Sequence, residues 1–488
     1  MAATALPRSE AGLGDRQFAL ADFLKAASDA DAVEITRLEL LAGGAIQENW
    51  GVDAEFDGGR LSGVQRLVLR CDGATGVPSS LGRVEEFAVL QAVFAAGVTA
   101  PEPLFACADT GVIGKPFFVM RRVAGSALGG PIVRDPALEP ARPAIAERLG
   151  RELARLQTVR PPRDDLAFLT PYDGPLPAIA EFRAYLDAHP NPRPVLEWAL
   201  RWAETHLPAP LPPVLCHRDF RTGNYMLQGV QLTAVLDWEF AGWGDPDEDI
   251  GWLCCKGWRF GRLDREAGGI AERVHFYRGY EAESGRRLDP ERVKFWEVYA
   301  NLRWAVIALQ QSDRFLIGGE RNLSTAITGR RATECELELL MLLDGLPPPQ
   351  PSPIKGGGGA PEPWRDLPSS RNLLALARET LLDELLPLLP AERERDAHLI
   401  ATVMAIAARE QAEDGWQEEI GAALAEFYGD AGLLSRLAAD LRNGAFETSP
   451  SQETAARAIL WRLTIAKLRE GNPQFLAANG IKAGRQGT

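Results

Sequence analysis

PVLCHRDFRTGNYMLQGVQLTAVLDWEFAGWGDPDEDIGW, from Pro213 to Trp252, is the stretch of this chain that decides the fold. It begins with a short apolar run, Val214 to Cys216, which predicts a buried strand that delivers the following polar residues to the edge of a sheet. Two further short runs, 225–227 and 231–236, flank Gly229 and indicate a hairpin. The stretch therefore combines a buried strand, a polar loop and a hairpin.

The predicted hairpin brings polar side chains together. A turn at Gly229 places Asn224 and Asp237 beside each other at the open end of the hairpin, and Asp219 lies just upstream on the incoming loop. Such amide and carboxylate oxygens suit Mg²⁺, which takes only one or two carboxylates together with substrate phosphates. A third carboxylate beside the metal can accept a proton or orient a hydroxyl. Each residue alone is better explained by turns and caps, whereas the ordered set predicts a metal site.

The order of these residues resembles that of a known enzyme group. The pattern His-x-Asp-x4-Asn, a hairpin and then an apolar run ending in Asp is similar to the catalytic and metal-binding segments of the aminoglycoside phosphotransferase and choline kinase group, relatives of the protein kinases. The resemblance covers about residues 30 to 340. The matching residues are His217-Arg218-Asp219, Asn224, Leu236-Asp237-Trp238-Glu239, Gly244-Asp245-Pro246 and Asp249.

This resemblance implies a fold and a set of roles. The fold would be α+β and two-lobed, protein-kinase-like, with a small antiparallel-sheet N-lobe and a mostly helical C-lobe. Asn224 and Asp237 would bind Mg²⁺, and Asp219 would position the acceptor hydroxyl and take its proton. His217 is grouped with the catalytic residues, although we expect it to brace the loop by hydrogen bonding rather than to transfer a proton. Asp249 would accept backbone N–H groups of that loop.

A phosphate-binding pair is expected from the N-lobe. The strand LVLRCD carries Arg70 near its end, and the following helix has Glu85 and Glu86 early in its sequence. By the same resemblance, Arg70 would hold the α and β phosphates of ATP, and Glu86 rather than Glu85 would steady it. Arginine replaces the lysine of protein kinases, but a cation that keeps its proton still binds phosphate. The alternative is a surface arginine and a solvated glutamate.

Two further nucleotide contacts are predicted in the N-lobe. Gly43 and Gly44 lie in a turn between strands, where backbone amides can approach a phosphate closely, although two glycines in a hairpin are more often only a turn. The apolar run KPFFVMRRV, 115–123, resembles the hinge between the two lobes. Backbone groups from Met120 to Val123 would bind adenine there, and the run is a buried strand in either case.

The sequence divides into four segments. Residues 1–122 are predicted to form the nucleotide-binding N-lobe, and 123–344 the catalytic and acceptor-binding C-lobe. Residues 345–369 form a linker, because its prolines stiffen it, its four consecutive glycines loosen it and nothing in it can build a core. Residues 370–488 have helical periodicity and predict a separate all-α bundle. This tail resembles a helical domain of undefined role found beside such phosphotransferases, and we expect it to dock on its own catalytic domain or on a partner protein.

Composition disfavours several kinds of partner. The 67 acidic residues outnumber the 53 basic ones, the formal net charge is -14, and no block of consecutive Lys or Arg stands out, so we expect neither a nucleic acid nor a membrane partner. The six cysteines show no CxxC spacing, which disfavours a zinc site or a disulfide framework. The start lacks the apolar core of a signal peptide, and no apolar run approaches the roughly 18 residues of a membrane span. These features predict a cytoplasmic protein.

The predicted function is ATP- and Mg²⁺-dependent phosphoryl transfer to a hydroxyl group of a small molecule. A hydroxyacyl-CoA acceptor is indicated by analogy, since members of the family with such helical partner domains, or fused to acyl-CoA dehydrogenases, look like kinases of hydroxyacyl-CoA thioesters. An aminoglycoside- or choline-type acceptor is the alternative. A catalytically silent kinase-like scaffold is disfavoured by the complete set of Asp219, Asn224 and Asp237. Metal-dependent hydrolysis is weaker, because only one histidine lies near these carboxylates.

Overall fold

The computed structural model describes residues 16–41, 47–73, 79–318, 323–345, 370–411, 415–430 and 432–481. The chain divides into two compact units. Unit 1 comprises Met1–Gly174, Pro210–Cys254 and Trp258–Val293, and unit 2 comprises Pro175–Ala209, Cys255–Gly257 and Lys294–Thr488.

Unit 1 begins with a five-stranded antiparallel sheet in the order β1-β2-β3-β5-β4. In β2 every second residue, from Trp50 to Phe56, is buried, because successive side chains of a strand point to opposite faces. The strands are β1 (Ala32–Leu40), β2 (Gln47–Asp57), β3 (Gly63–Asp72), β4 (Pro103–Cys107) and β5 (Phe117–Arg121), and the helices are α1 (Gln17–Ser28), α2 (Arg83–Ala95) and α3 (Thr110–Ile113).

Helix α2 turns Glu86 toward the sheet. The helix begins after Gly82, whose backbone N–H donates to the exposed Glu85 side chain. Glu86 therefore falls on the buried face, one turn before Leu90 and two turns before Val93, which are 1% and 0% exposed. The helical period thus separates the two neighbouring glutamates, one to solvent and one to the core.

The rest of unit 1 is mainly helical and contains the predicted hairpin. Helices α5 and α9 pack closely. A Cβ on residue 279 would lie 1.9 Å from the Glu147 carbonyl oxygen, so this approach requires the glycine at that position. The strands are β6 (Val214–Cys216), β7 (Tyr225–Gln228), β8 (Gln231–Val235) and β9 (Gly242–Gly244), and the helices are α4 (Gly129–Arg134), α5 (Arg142–Leu156), α8 (Glu248–Cys254) and α9 (Arg273–Ser284). The antiparallel pairing of β7 with β8 confirms the hairpin about Gly229.

The regular secondary structure described in unit 2 is helical. Helix α10 (Pro290–Leu316) begins in unit 1 and continues into unit 2. The other helices are α6 (Leu176–Ala188), α7 (Pro194–Thr205), α11 (Leu323–Thr328), α12 (Ala332–Leu343), α13 (Ser370–Glu379), α14 (Ala391–Glu410), α15 (Trp416–Tyr428), α16 (Leu434–Arg442), α17 (Pro450–Gly471) and α18 (Pro473–Ala478).

Unit 2 joins tail helices to helices of the predicted C-lobe segment. Arg442 of α16 donates to both carboxylate oxygens of the buried Glu197 of α7, at 2.7 and 2.9 Å. Trp461 of α17 donates from Nε1 to Asp344, just after α12, at 2.8 Å. The compact units do not follow the predicted boundary between segments 123–344 and 370–488. Helices of both segments belong to unit 2, where side chains far apart in sequence pair with each other.

No helix in the described ranges has both the length and the apolar character needed to cross a membrane.

Candidate active site

The loop after β6 is fixed by one buried carboxylate. Asp249 of α8 is 0% exposed and accepts the backbone N–H groups of His217 at 2.7 Å and Arg218 at 2.8 Å. Arg218 has a φ of +62°, an uncommon conformation for a residue with a side chain. Such backbone conformations persist where surrounding contacts hold them and are frequent at active sites. The segment around Asp219 is thus held in a defined shape.

His217 connects this loop to the hairpin. Its Nδ1 accepts the Asp219 N–H at 3.2 Å, so Nε2 carries the proton and donates to the Leu236 carbonyl oxygen at 2.8 Å. The ring is fully buried, and burial lowers its pKa, which keeps it neutral near pH 7. These contacts match the expected bracing by His217. Its assignment to the catalytic residues stays a prediction.

Asp219 accepts hydrogen bonds on both carboxylate oxygens. The Oδ1 atom accepts from Arg221 Nε and from Trp252 Nε1, both at 2.9 Å. The Oδ2 atom accepts from Asn224 Nδ2 at 2.5 Å. The side chain is 12% exposed, so one edge of a firmly oriented carboxylate still faces solvent. A carboxylate placed in this way can align and deprotonate a hydroxyl that approaches this edge.

Asn224 and Asp237 lie at the open end of the hairpin, where the sequence predicted them. The Leu236 N–H donates to the Asn224 carbonyl oxygen at 2.8 Å, and Asp237 follows directly with a φ of +69°. Asn224 Nδ2 is committed to Asp219, which leaves Oδ1 as an acceptor. Burial favours the neutral form of Asp237, but the Arg70 guanidinium outweighs it and the pKa of the carboxyl lies below its usual value.

The oxygen atoms of Asn224 and Asp237 suit Mg²⁺ as the resemblance implies. No group of three or more His, Cys, Asp or Glu side chains placed to hold a metal occurs within the described part of the chain. Mg²⁺ bound through substrate phosphates needs no such cage, since one or two protein oxygen ligands are typical. One carboxylate, 30% exposed, beside one amide oxygen meets that requirement.

Arg70 lies between three carboxylates. Its Nε is 3.0 Å from Glu86, and its Nη2 is 2.5 Å from Asp237 and 3.7 Å from Glu239. Burial alone would lower the pKa of the guanidinium, but these carboxylates raise it above its ordinary value. The register of β3 against β2, which pairs Arg70 with Asn49, places the arginine at this position. Arg70 therefore stays charged and joins α2 to the end of the hairpin.

Two residues of this cluster were not assigned by the sequence reasoning. Arg83, whose side chain is 0% exposed, forms an ion pair with Glu86 and thus gives it a second cation. Glu239 accepts from Ser80 Oγ at 2.6 Å and from Gln47 Nε2 at 2.9 Å. Burial and the neighbouring Asp237 raise the pKa of Glu239. Its place two residues after Asp237, at the end of a buried run, was the available signal.

Removing Glu86 is expected to destabilise unit 1. In Glu86→Ala, the buried guanidinium groups of Arg83 and Arg70 each lose one of three carboxylate partners, so we expect a loss of about 3–5 kcal/mol in the free energy of unfolding. Urea unfolding followed by tryptophan fluorescence measures this loss. Glu85→Ala is the matched control and should cost about 1 kcal/mol or less, since it removes only a cap. Equal losses in the two variants would contradict a structural role for the buried pair.

The other predicted nucleotide contacts are the turn glycines and the hinge, and the structure describes only the hinge. Gly43 and Gly44 lie outside the described residues. Met120 is in β5 opposite Val68, and Val123 follows the strand where the chain leaves the sheet. Beyond it, Ser126 pairs with Leu227 of the hairpin through two backbone hydrogen bonds of 2.9 and 3.0 Å. Val123 thus lies in the connection between the sheet and the hairpin, and the adenine contact stays a prediction.

Comparison with known proteins agrees with this geometry. Residues 37–296 match the model of a family described as phosphotransferase enzyme family (APH), and residues 387–475 match a domain of unknown function, DUF6285. A solved structure of a putative aminoglycoside phosphotransferase from Ralstonia eutropha superposes with a TM-score of 0.54 at 21% identity, over 67% of this chain and 97% of that one. That likeness confirms the predicted two-lobed, kinase-like fold.

Curated relatives are longer proteins. The chain is 28% identical over 297 residues to Acyl-CoA dehydrogenase family member 10 of Mus musculus, covering 57% of this chain and 27% of that protein. It is 30% identical over 198 residues to Acyl-CoA dehydrogenase family member 11 of Homo sapiens, covering 38% of this chain and 25% of that protein. The chain thus spans about a quarter of the length of these relatives.

Proposed function

Because the chain belongs to the phosphotransferase enzyme family, we propose that it transfers the γ-phosphoryl group of ATP, with Mg²⁺, to a hydroxyl group of a small molecule. The observation that carries the proposal is the proximity of three groups in unit 1. Asp219 is hydrogen-bonded to Asn224, and Asn224 lies at the hairpin end beside Asp237, which in turn pairs with Arg70. A proton acceptor, two metal ligands and a phosphate-binding cation are the groups that phosphoryl transfer requires.

The roles follow from the contacts of each side chain. Asn224 and Asp237 would hold Mg²⁺, which when bound neutralises phosphate charge. Arg70 supplies a permanent positive charge for the α and β phosphates, and Glu86 keeps its guanidinium in place. Asp219 orients the acceptor hydroxyl and takes its proton, while the hydroxyl oxygen bonds to the γ phosphorus and the bond to the departing ADP oxygen breaks. His217 positions Asp219 through the loop backbone.

We propose a hydroxyacyl-CoA as the acceptor. Two observations support this choice over an aminoglycoside or choline. Both relatives described above are named as members of the acyl-CoA dehydrogenase family. The helical tail, which matches DUF6285, resembles a domain found beside phosphotransferases of this kind.

The tail forms part of the proposal. We propose that it docks on its own catalytic segment and stays there during turnover. The buried Glu197 of α7 accepts two hydrogen bonds from Arg442 of the tail, and Arg201 of α7 likewise pairs with Glu447 at 2.8 Å. A charge pair with a buried carboxylate favours a tail that stays docked, because undocking would leave the carboxylate without its partner.

Release of ADP tests the proposed function. The full-length protein, incubated with Mg²⁺ and ATP, should release ADP with a hydroxyacyl-CoA faster than with amino sugars or choline, and Asp219→Ala should abolish the acceptor-dependent part. Activity on an amino sugar or choline instead would exclude the CoA ester. Absence of Asp219-dependent turnover on every acceptor would favour the silent scaffold.

A further inference from the structure

Arg221 is a charged residue of the catalytic loop that the roles above leave without a chemical task. Its Nε lies 2.9 Å from Asp219 Oδ1 and 3.2 Å from Oδ2. Its guanidinium carbon lies 4.6 Å from the ring centroid of Trp258, which is 7% exposed. A cation stacked on a buried tryptophan is held in orientation as well as attracted. Arg221 therefore has a fixed position beside the proposed proton acceptor.

The local backbone leaves room for this position. Gly223 has a φ of +110°, and a Cβ there would lie 2.8 Å from Arg221 Nη1. A residue with a side chain would therefore be strained and would push the guanidinium away. The Trp252 indole, which donates to Asp219, packs against Trp258 with a centroid distance of 5.1 Å. The two indoles and Gly223 together leave space for the Arg221 side chain in this one orientation.

One edge of the guanidinium remains available. Arg221 uses Nε for Asp219, and Nη1 makes a long hydrogen bond of 3.3 Å to the Thr222 carbonyl oxygen. Its Nη2 makes no hydrogen bond to any residue that the structure describes, and the side chain is 25% exposed. The positive charge of Arg221 also lowers the pKa of Asp237, by less than that of Arg70 and against the effect of burial. Its charge therefore acts on the proposed proton acceptor and on the proposed metal ligand.

We propose that Arg221 is a catalytic residue that binds the phosphoryl group during its transfer. Its Nε holds Asp219, and its Nη2 donates to a non-bridging oxygen of the group. The inference rests on the proposed function, in which the acceptor oxygen bonds to phosphorus, its proton passes to Asp219 and ADP departs. Charge on the non-bridging oxygens is what such a site must neutralise, and an arginine that does so accelerates transfer by about 10³–10⁵-fold. A position beside the proposed proton acceptor, with Nη2 available, suits this task.

The alternative role is purely structural, with Arg221 as a brace for Asp219. The two roles predict different affinities for a mimic of the phosphoryl group in the transition state. Such a mimic binds without an acceptor, so its affinity does not depend on proton transfer to Asp219. ADP with Mg²⁺ and aluminium fluoride is such a mimic. Its affinity for the full-length protein, compared with that of ADP and Mg²⁺ alone, can be measured by calorimetry without turnover.

The variant Arg221→Gln should lose most of the extra affinity that aluminium fluoride gives to ADP, by about 10²-fold or more, and should bind ADP alone within about twofold of wild type. Arg221→Lys keeps the positive charge but lacks the planar guanidinium group, so it should lose a smaller part of this extra affinity. Arg163→Gln is the matched control, because Arg163 also pairs with an aspartate two residues away, Asp165, at 2.6 Å, and its side chain is 36% exposed. It should match wild type.

The outcomes separate the two proposals. If wild type binds the fluoride complex no better than ADP, the proposed phosphoryl transfer fails and the role of Arg221 with it. If wild type shows the extra affinity and both Arg221 variants keep it in full, Arg221 is only a brace and this inference is overturned, while the proposed function stands. The inference is supported if Arg221→Gln loses the extra affinity while Arg163→Gln keeps it, whether Arg221→Lys keeps it too or loses a smaller part.

Discussion

Replacing Asp219 with alanine is expected to lower kcat by about 10²–10⁴-fold, the usual contribution of a positioned proton acceptor, and to leave nucleotide affinity within about twofold. Asn224 Nδ2 also donates to the Asp219 backbone carbonyl oxygen at 2.9 Å, so the amide keeps its orientation when the carboxylate is removed. Arg70 makes its ion pairs with other carboxylates. The change therefore removes the proton acceptor without disturbing the proposed nucleotide ligands.

Steady-state kinetics and equilibrium titration with ATP and Mg²⁺ measure the two quantities separately. Asp165→Ala is a suitable control, because Asp165 also accepts from an arginine two residues away but is exposed. The control should leave both quantities unchanged. A variant of Asp219 that keeps wild-type turnover, or that loses nucleotide affinity as well, would show that this carboxylate is not the proton acceptor.

Replacing Asp237 with alanine is expected to remove the gain in ATP affinity that Mg²⁺ provides, a loss of about 2–3 kcal/mol or 30–150-fold. The carboxylate is the one charged member of the proposed ligand pair, because Asn224 offers only a neutral oxygen. Arg70 would lose its partner at 2.5 Å but keep Glu86 at 3.0 Å, so the metal-independent part of the affinity should persist. The two parts are distinguishable by titrating ATP with Mg²⁺ and with EDTA.

The two aspartate variants serve as reciprocal controls. Asp219→Ala should retain the effect of Mg²⁺ on ATP affinity that Asp237→Ala loses. Since both residues belong to the same loop and hairpin, a general distortion of the site would affect the two variants alike. Retention of the Mg²⁺ effect in Asp237→Ala would place the metal ligands elsewhere in the chain.

Local patterns were sufficient for the hairpin, and the helical period agrees with the choice of Glu86 over Glu85, which rested on the resemblance. Alternating apolar residues around Gly229 predicted the pairing of β7 with β8, which in turn determines where Asn224 and Asp237 lie. Helical spacing places Glu86, and not Glu85, on the apolar face that contacts the sheet. These features depend on residues close in sequence, and their physical basis is the period of a strand or a helix.

The charge cluster could not be predicted in the same way. Glu239 is held by Gln47, which is 192 positions away in sequence, and Arg83 joins Glu86 because α2 presents both to the interior. Several partners were available to each charged side chain, and only the packed chain selects among them. The stacking of Arg221 on Trp258 is also non-local, since the two residues are 37 positions apart in sequence.

The grouping of the tail with C-lobe helices has a similar cause. The linker composition predicts a boundary between two helical segments in the sequence, but it contains no information on which surfaces meet. Glu197 of α7 and Arg442 of α16 are both ordinary charged residues of amphipathic helices. Their pairing becomes visible only when the burial of Glu197 is known, because a buried carboxylate requires a partner.

Transfer of the label from γ-³²P-ATP to a hydroxyacyl-CoA by the full-length protein tests the central claim most directly. With Mg²⁺ present, we expect the label to appear on the hydroxyl oxygen of the acceptor, and we expect neither Asp219→Ala nor Asp237→Ala to produce labelled acceptor at a comparable rate. Label that remains in ATP or appears only as inorganic phosphate, with hydroxyacyl-CoAs, amino sugars and choline alike, would contradict a small-molecule kinase.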